Sequence, residues 1–272
     1  MEILLFIFIG VAAFNGVLAV KDWDEYKECG GIVPLSMAYP TTIAYKEDET
    51  YNSTEFCIWT LLPEENIKSV TIAIRHQFND LGDGIVAYFW NSTELWSQKI
   101  PHDEFVRLTF EPPPIFLAFS SDPVDQSVGF SINIYPSGTP GLTRGRAFHF
   151  EKDEGEFSYP RKTTGEEKYE NNERVSLVVQ GVTGGDAQRM RKIVVKSVDT
   201  QPDSDFVSVY TLFRYYDEEP NFLPRGRFSG NQTGEFPISS YYPTVYFFTS
   251  DDKITGKGFT TEWKNYRHKS EL

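Results

Sequence analysis

Short apolar runs rich in β-branched and aromatic residues recur along the chain, at 56–62, 70–74, 85–90, 105–110, 115–119 and 128–135. Pro, Gly, Asn and Asp punctuate them at the spacing of sandwich strands. Apolar residues alternate at Ile72 and Ile74 and at Phe130, Ile132 and Ile134. That period of two predicts strands with one buried and one wet face. No segment carries the helical period, so the pattern predicts an all-β protein. The stretch 136–145, dense in Pro and Gly, reads as a linker.

The second half echoes the first. Ala38-Tyr39-Pro40 matches Ser158-Tyr159-Pro160, and the strand opened by Asp83 matches the one opened by Asp205. The run 115–122, ending Ser121-Asp122, matches 244–251, ending Ser250-Asp251, and Gly129-Phe130 and Gly258-Phe259 follow at equal distance. A repeat of this length is a whole domain. The expected organisation is a signal peptide at 1–19, a β-sandwich at 20–136, a linker at 137–146, a second, cysteine-free sandwich at 147–265 and a tail at 266–272.

Residues 3–14 are almost uninterruptedly apolar and are followed by Val17-Leu18-Ala19, a leader with a peptidase-type end. Asn52, Asn91 and Asn231 each open an N-glycosylation triplet. Cys29 and Cys57 are the only cysteines, so an oxidising compartment allows one disulfide and leaves no thiol over. Export is therefore expected, with no membrane span in the mature chain. The final residues 268–272 partly match an endoplasmic-reticulum retrieval signal, which keeps a retained or extracellular-matrix structural protein as the alternative. A net charge of -13 over 272 residues argues against nucleic acid and anionic lipid as partners.

No zinc-helix, nucleophile-elbow, P-loop or dinucleotide motif is present, and His76, His102, His149 and His268 fall in no metal-ligand spacing. They read as surface or strand-edge histidines. Cys57 lies in an apolar strand that disfavours a thiolate. The carboxylate pairs Asp80 with Asp83 and Glu64 with Glu65 have no recognisable pocket. The expectation is a binding protein and not an enzyme. The run 241–248, with Tyr241, Tyr242, Tyr246, Phe247 and Phe248, reads as core packing with alternate tyrosines exposed, or as a platform for a sugar or partner.

An ordered set of landmarks spans the first half: Cys29-Gly30-Gly31, Tyr39-Pro40, Tyr45, Cys57-Ile58-Trp59, Phe78, Asp83, Phe119-Ser120-Ser121-Asp122 and Gly129-Phe130. It resembles the CUB domain, and more narrowly the CUB-like secreted proteins of nematodes. Neither half keeps the second disulfide of the typical CUB pattern, and the second half is the more diverged. The resemblance implies two tandem antiparallel sandwiches of jelly-roll type, extracellular protein or glycan partners, and a role in innate immune defence. It also implies a Ca²⁺ site at Tyr45, Asp80, Asp83 and Asp122. In the second half the matching carboxylates are Asp205 and Asp251, with Asp199 or Asp203 nearby and no secure tyrosine. Ca²⁺ needs six to eight hard oxygens, which loops at one end of a sandwich supply by converging carboxylates.

Overall fold

The computed structural model describes residues 24–63, 67, 69–76, 83–91, 94–100, 105–109, 115–124, 127–138, 144–161, 167–182, 189–214 and 220–267. The expected leader, the end of the tail, Asp80, Glu64, Glu65, His102 and His268 lie outside these residues. Every described element is a strand, and among the described residues no helix is long and apolar enough to cross a membrane.

The first half contains β1 (Asp24–Tyr26), β2 (Gly31–Leu35), β3 (Thr41–Thr50), β4 (Phe56–Pro63), β5 (Ser69–His76), β6 (Gly84–Asn91), β7 (Glu94–Lys99), β8 (Phe105–Thr109), β9 (Ile115–Ser120) and β10 (Val128–Ser137). The second contains β11 (Arg144–Phe150), β12 (Glu154–Tyr159), β13 (Glu173–Val179), β14 (Arg189–Asp199), β15 (Phe206–Phe213), β16 (Asn221–Phe228), β17 (Gly234–Ser239), β18 (Thr244–Thr249) and β19 (Gly258–Arg267). The stretch read as a linker thus begins and ends in strands, β10 and β11.

Each half is a two-sheet sandwich. In the first, β1-β3-β10-β5-β8 faces β2-β4-β9-β6-β7; in the second, β12-β19-β14-β17 faces β11-β13-β18-β15-β16. Nine strands correspond in order, down to β2 running parallel to β4 and β11 parallel to β13, and β1 alone has no counterpart among the described residues. Alternate residues fill each core. Ile43, Ile72 and Ile132 meet Trp59, Ala87 and Leu117 in the first sandwich. Phe157, Ile193 and Trp263 meet Leu177, Val209 and Tyr246 in the second.

One face buried and one wet fails for the central strands. All six residues of β9 are buried. Leu117 and Phe119 point into their own core, whereas Phe116 and Ala118 join Phe56, Ile58, Val86 and Tyr88 in a third apolar layer with Val178, Leu212, Phe222 and Val245 of the second sandwich. The two inner sheets therefore pack face to face. A strand buried on both sides reads as a continuous apolar run, which is how 115–120 and 244–249 are written.

Polar groups pin this layer. Gln180 Nε2 donates to the carbonyl of Phe56 at 2.6 Å, Arg214 reaches Ser120 Oγ at 3.4 Å, and the Tyr88 and Tyr241 hydroxyls donate to the carbonyls of Pro220 and Thr54. Tyr241 and Tyr242 stack edge-on against Phe56, with centroids at 5.5 and 5.3 Å. The aromatic run thus packs partly between the sandwiches, and Tyr246 is buried in the second core. Behind Gln180 stands Arg191, 1% exposed, donating to the carbonyls of Val179 and Gln180 and to Asn265 Oδ1.

Candidate functional site

The sequence-predicted carboxylates fall at equivalent ends of the two sandwiches, where the turn before β4 or β13 meets the loop after β9 or β18. In the first sandwich Tyr45 Oη donates to Glu55 Oε2 at 2.7 Å, and Lys46 Nζ lies 2.8 Å from Glu55 Oε1. Tyr51 Oη donates to Asp83 Oδ2, while the Asp122 amide donates to Asp83 Oδ1 at 2.6 Å. Asp122 Oδ1 accepts the Val124 amide at 2.9 Å, an Asx turn. Ser121 Oγ accepts the Glu55 amide and donates to the carbonyl of Asn52, both at 2.8 Å.

The second sandwich repeats this bond for bond. Tyr159 Oη donates to Glu173 Oε2 at 2.7 Å, with Arg146 in the place of Lys46 at 3.5 Å. Tyr169 Oη donates to Asp205 Oδ2 at 2.5 Å, and the Asp251 amide to Asp205 Oδ1 at 2.8 Å. Asp251 Oδ1 accepts the Lys253 amide at 2.9 Å. Ser250 Oγ bridges the Glu173 amide and the carbonyl of Glu170. The residues before the two glutamates, Thr54 and Asn172, share a left-handed backbone, φ 57° and 59°. Glycine in each Gly-Phe pair is dictated by a close approach: a Cβ on Gly129 would lie 2.0 Å from the carbonyl oxygen of Tyr45, and one on Gly258 1.8 Å from that of Tyr159.

This register revises the alignment of the halves. Phe130 pairs with Tyr45 and Phe259 with Tyr159, so the counterpart of Tyr159 is Tyr45 and not Tyr39. The second half therefore has its tyrosine, and a further one in Tyr169. The signal missed in the sequence is Tyr-X-X-X-Glu, present as Tyr51 to Glu55 and again as Tyr169 to Glu173.

Burial dominates the electrostatics. It raises the pKa of Asp83 and of Glu173, outweighing the Tyr51 and Tyr159 hydrogen bonds that favour the charged forms. It also pushes the Tyr45, Tyr51 and Tyr169 phenols up, aided by their carboxylate partners. These tyrosines are proton donors at any physiological pH.

Asp83 and Asp122 come together through the Asp122 amide, while Tyr45 serves Glu55. Among the described residues no group of three or more His, Cys, Asp or Glu side chains could hold a metal ion. The described residues of the predicted set do not by themselves form a calcium cage, and Asp80 lies outside them. Cys29 and Cys57 form the disulfide. Asn52 is exposed, with its amide donating to Glu55, and Asn231 is exposed in the turn before β17. Asn91 ends β6, its side chain outside the description. His149 lies in β11, the edge strand of its sheet, as the strand-edge reading has it, but its side chain is only 10% exposed and lies against Gly30 between the sandwiches.

No protein-family model matches the chain, and no curated protein matches it in sequence. Solved structures resemble it weakly. The CUB1-EGF-CUB2 domain of human MASP-1/3 aligns over 85% of this chain and 100% of its own, at 12% identity and a TM-score of 0.34. The CUB1-EGF-CUB2 domains of rat MASP-1 align over 86% of this chain and 100% of their own, at 13% identity and 0.31. The MASP-1 CUB2 domain bound to Ca²⁺ aligns over 43% of this chain and 96% of its own, at 17% identity and 0.31.

Proposed function

We propose that the chain is a secreted, glycosylated interaction protein built from two tandem CUB-like sandwiches, 20–136 and 147–265, that binds protein or glycan partners outside the cell. The role that goes with the nematode-type resemblance is innate defence at an epithelial surface. The observation that carries the reading is the Cys29–Cys57 bridge, which ties the segment entering β2 to the buried face of β4. Such a bond persists in an oxidising compartment. The apolar leader and the exposed acceptors Asn52 and Asn231 support the same compartment. The shared apolar layer supports a rigid body rather than two beads on a string, which presents both carboxylate-bearing loop ends in fixed positions.

The test is expression of the full chain in secretory cells. Expected are release into the medium, a mass drop on N-glycosidase treatment, a disulfide resistant to thiol alkylation, and binding of the purified protein to extracellular glycans or matrix proteins. Retention inside the cell that deletion of 268–272 relieves would favour the resident structural protein. A reduced, unglycosylated product in the cytosol would overturn the reading.

A further inference from the structure

The outer face of the sheet β11-β13-β18-β15-β16 is used in two ways. Toward one end, Val178, Val245, Leu212 and Phe222 lie under the first sandwich. Toward the carboxylate end, the same face forms a cavity of about 640 Å³ lined only by the second sandwich, among others by Arg174, Asp203, Phe206, Ser208, Arg227 and Asp251.

Cross-strand register shows that this cavity is particular to the second half. Arg174 faces Thr249 as Phe56 faces Ser120; Phe206 faces Thr249 as Gly84 faces Ser120; Ser208 faces Arg227 as Val86 faces Lys99. The first sandwich places apolar residues or no side chain at three of these positions and covers them with Tyr241, Tyr242 and Arg214. The second places a guanidinium, a phenyl ring and a hydroxyl at those three, and a second guanidinium, Arg227, where the first has Lys99.

Neither guanidinium is neutralised. Among the described residues Arg174 and Arg227 form no ion pair and no hydrogen bond. Arg174 is half-buried, and desolvation depresses its pKa. The Arg227 guanidinium carbon sits over the Phe206 ring, 3.5 Å from its centroid. A partly desolvated cation without a counter-ion is costly unless a ligand supplies one. A guanidinium fork matches a carboxylate.

The rest of the wall selects the ligand further. Asp203, Asp251 and Asp252 line the cavity with Asn172, Ser204 and Thr249. These acceptors suit ring hydroxyls, and with the net charge of -13 they repel polyanions. Resting on the reading of the chain as an extracellular binding protein, we propose that this cavity binds a sugar unit bearing one carboxylate, a uronic or sialic acid at the end of an extracellular glycan. The carboxylate sits between Arg174 and Arg227, and the hydroxyls face the aspartates.

The full secreted protein, wild type and with Arg174→Gln or Arg227→Gln, is titrated with sialyllactose, a glucuronate-ended disaccharide, lactose and a heparin oligosaccharide, alongside matrix proteins. Arg227 is exposed, so its replacement leaves folding intact, and a thermal melt checks both variants. Expected is binding of one or both carboxylated sugars, the preferred one identifying the source. Lactose and either glutamine variant should bind about ten- to hundredfold more weakly. Binding confined to the sulfated probe, or unchanged by both variants, overturns the proposal. Absence of sugar binding with matrix binding intact sinks the cavity alone; loss of every interaction sinks the binding-protein reading as well.

Discussion

The two sandwiches share a topology and a polar network but are tied together by different means. In the first, the indole of Trp59 donates to the carbonyl of Glu28 at 3.0 Å, beside a disulfide that fixes the next residue to β4. In the second, the indole of Trp263 donates to the carbonyl of Lys152 at 3.0 Å, and Asn265 clasps Asp153 through its backbone and side-chain amides, each at 2.8 Å. Val175 stands in the place of Cys57. What is common to both halves is therefore the set of Tyr–carboxylate and Ser–backbone bonds, because these satisfy buried polar atoms that nothing else reaches. The covalent staple is interchangeable with packing and hydrogen bonds.

Removing each anchor gives the largest effects and the sharpest test of that exchange. Trp263→Ala empties the centre of the second core and should cost about 3–5 kcal/mol. Replacing Cys29 and Cys57 together by Ala should cost about 3 kcal/mol, through a less restrained unfolded chain. Segment-resolved hydrogen exchange should show the first loss centred on β12, β14 and β19, the second on β2 and β4. Equal loss across all strands would mean that the shared apolar layer makes one cooperative unit and the anchors are not local.

If the Tyr–carboxylate bonds are the common framework, Tyr51→Phe and Tyr169→Phe should behave alike. Each leaves a buried aspartate, Asp83 or Asp205, without its phenol, at a cost of about 1.5–3 kcal/mol for a hydrogen bond to a charged group. Chemical denaturation of the two variants measures this. A large loss in one and none in the other would break the equivalence of the networks.

Strand alternation and turn residues were enough to place the strands, because period and punctuation are local properties. The observed β4, β5, β6, β9 and β10 match the apolar runs to within two residues at each end. Less legible was the face-to-face packing. The runs 115–120 and 244–249 lack alternation, the mark of burial on both sides, but the same pattern suits a strand in one core with an aromatic edge. The Tyr51 and Tyr169 partners were present as a repeated Tyr-X-X-X-Glu and were hidden by aligning Tyr39-Pro40 with Tyr159-Pro160, a match of letters where register demands Tyr45. The Arg174 cavity had no sequence signature, since its residues meet only across four strands.

A smaller difference lies at the junction. His149 pairs with Val178 in β11 and β13 as Ile32 pairs with Thr60 in β2 and β4. Burial lowers the pKa of His149 from its ordinary 6.5, against the weaker pull of Glu151. With the folded value depressed, stability is full above about pH 6.5 and falls as pH drops below it, by at most about 1.4 kcal/mol per pH unit until the folded value is reached. Asp83 and Glu173 act in the opposite sense: their folded values are raised above 3.8 and 4.5, so stability rises as pH falls through them. His149→Ile, which copies the first sandwich, should flatten the loss between pH 7 and 5.5 and leave the lower limb unchanged. An unaltered slope in that window would remove His149 as its source.

The smallest expected effect is that of calcium, and here the two halves should agree. An extracellular site with a dissociation constant of about 10⁻⁴–10⁻³ M would add roughly 0.6–1.8 kcal/mol in about 2 mM Ca²⁺. That would raise the melting temperature by a few degrees relative to EDTA. Each Asp83 oxygen already accepts one donor, the Tyr51 hydroxyl or the Asp122 amide, and has a single lone pair left for an ion, and the same holds for Asp205 with Tyr169 and Asp251. Among the described residues no group of three or more His, Cys, Asp or Glu side chains converges at either end, too few to build the six to eight oxygens of the shell. The melting temperature should therefore be the same in Ca²⁺ and EDTA, for the wild type and for Asp122→Ala and Asp251→Ala alike. A calcium-dependent rise lost in Asp122→Ala but kept in Asp251→Ala would show that a cage does form at Asp83 and Asp122 in the first sandwich, and would make the ion, rather than the staple, the deepest difference between the halves.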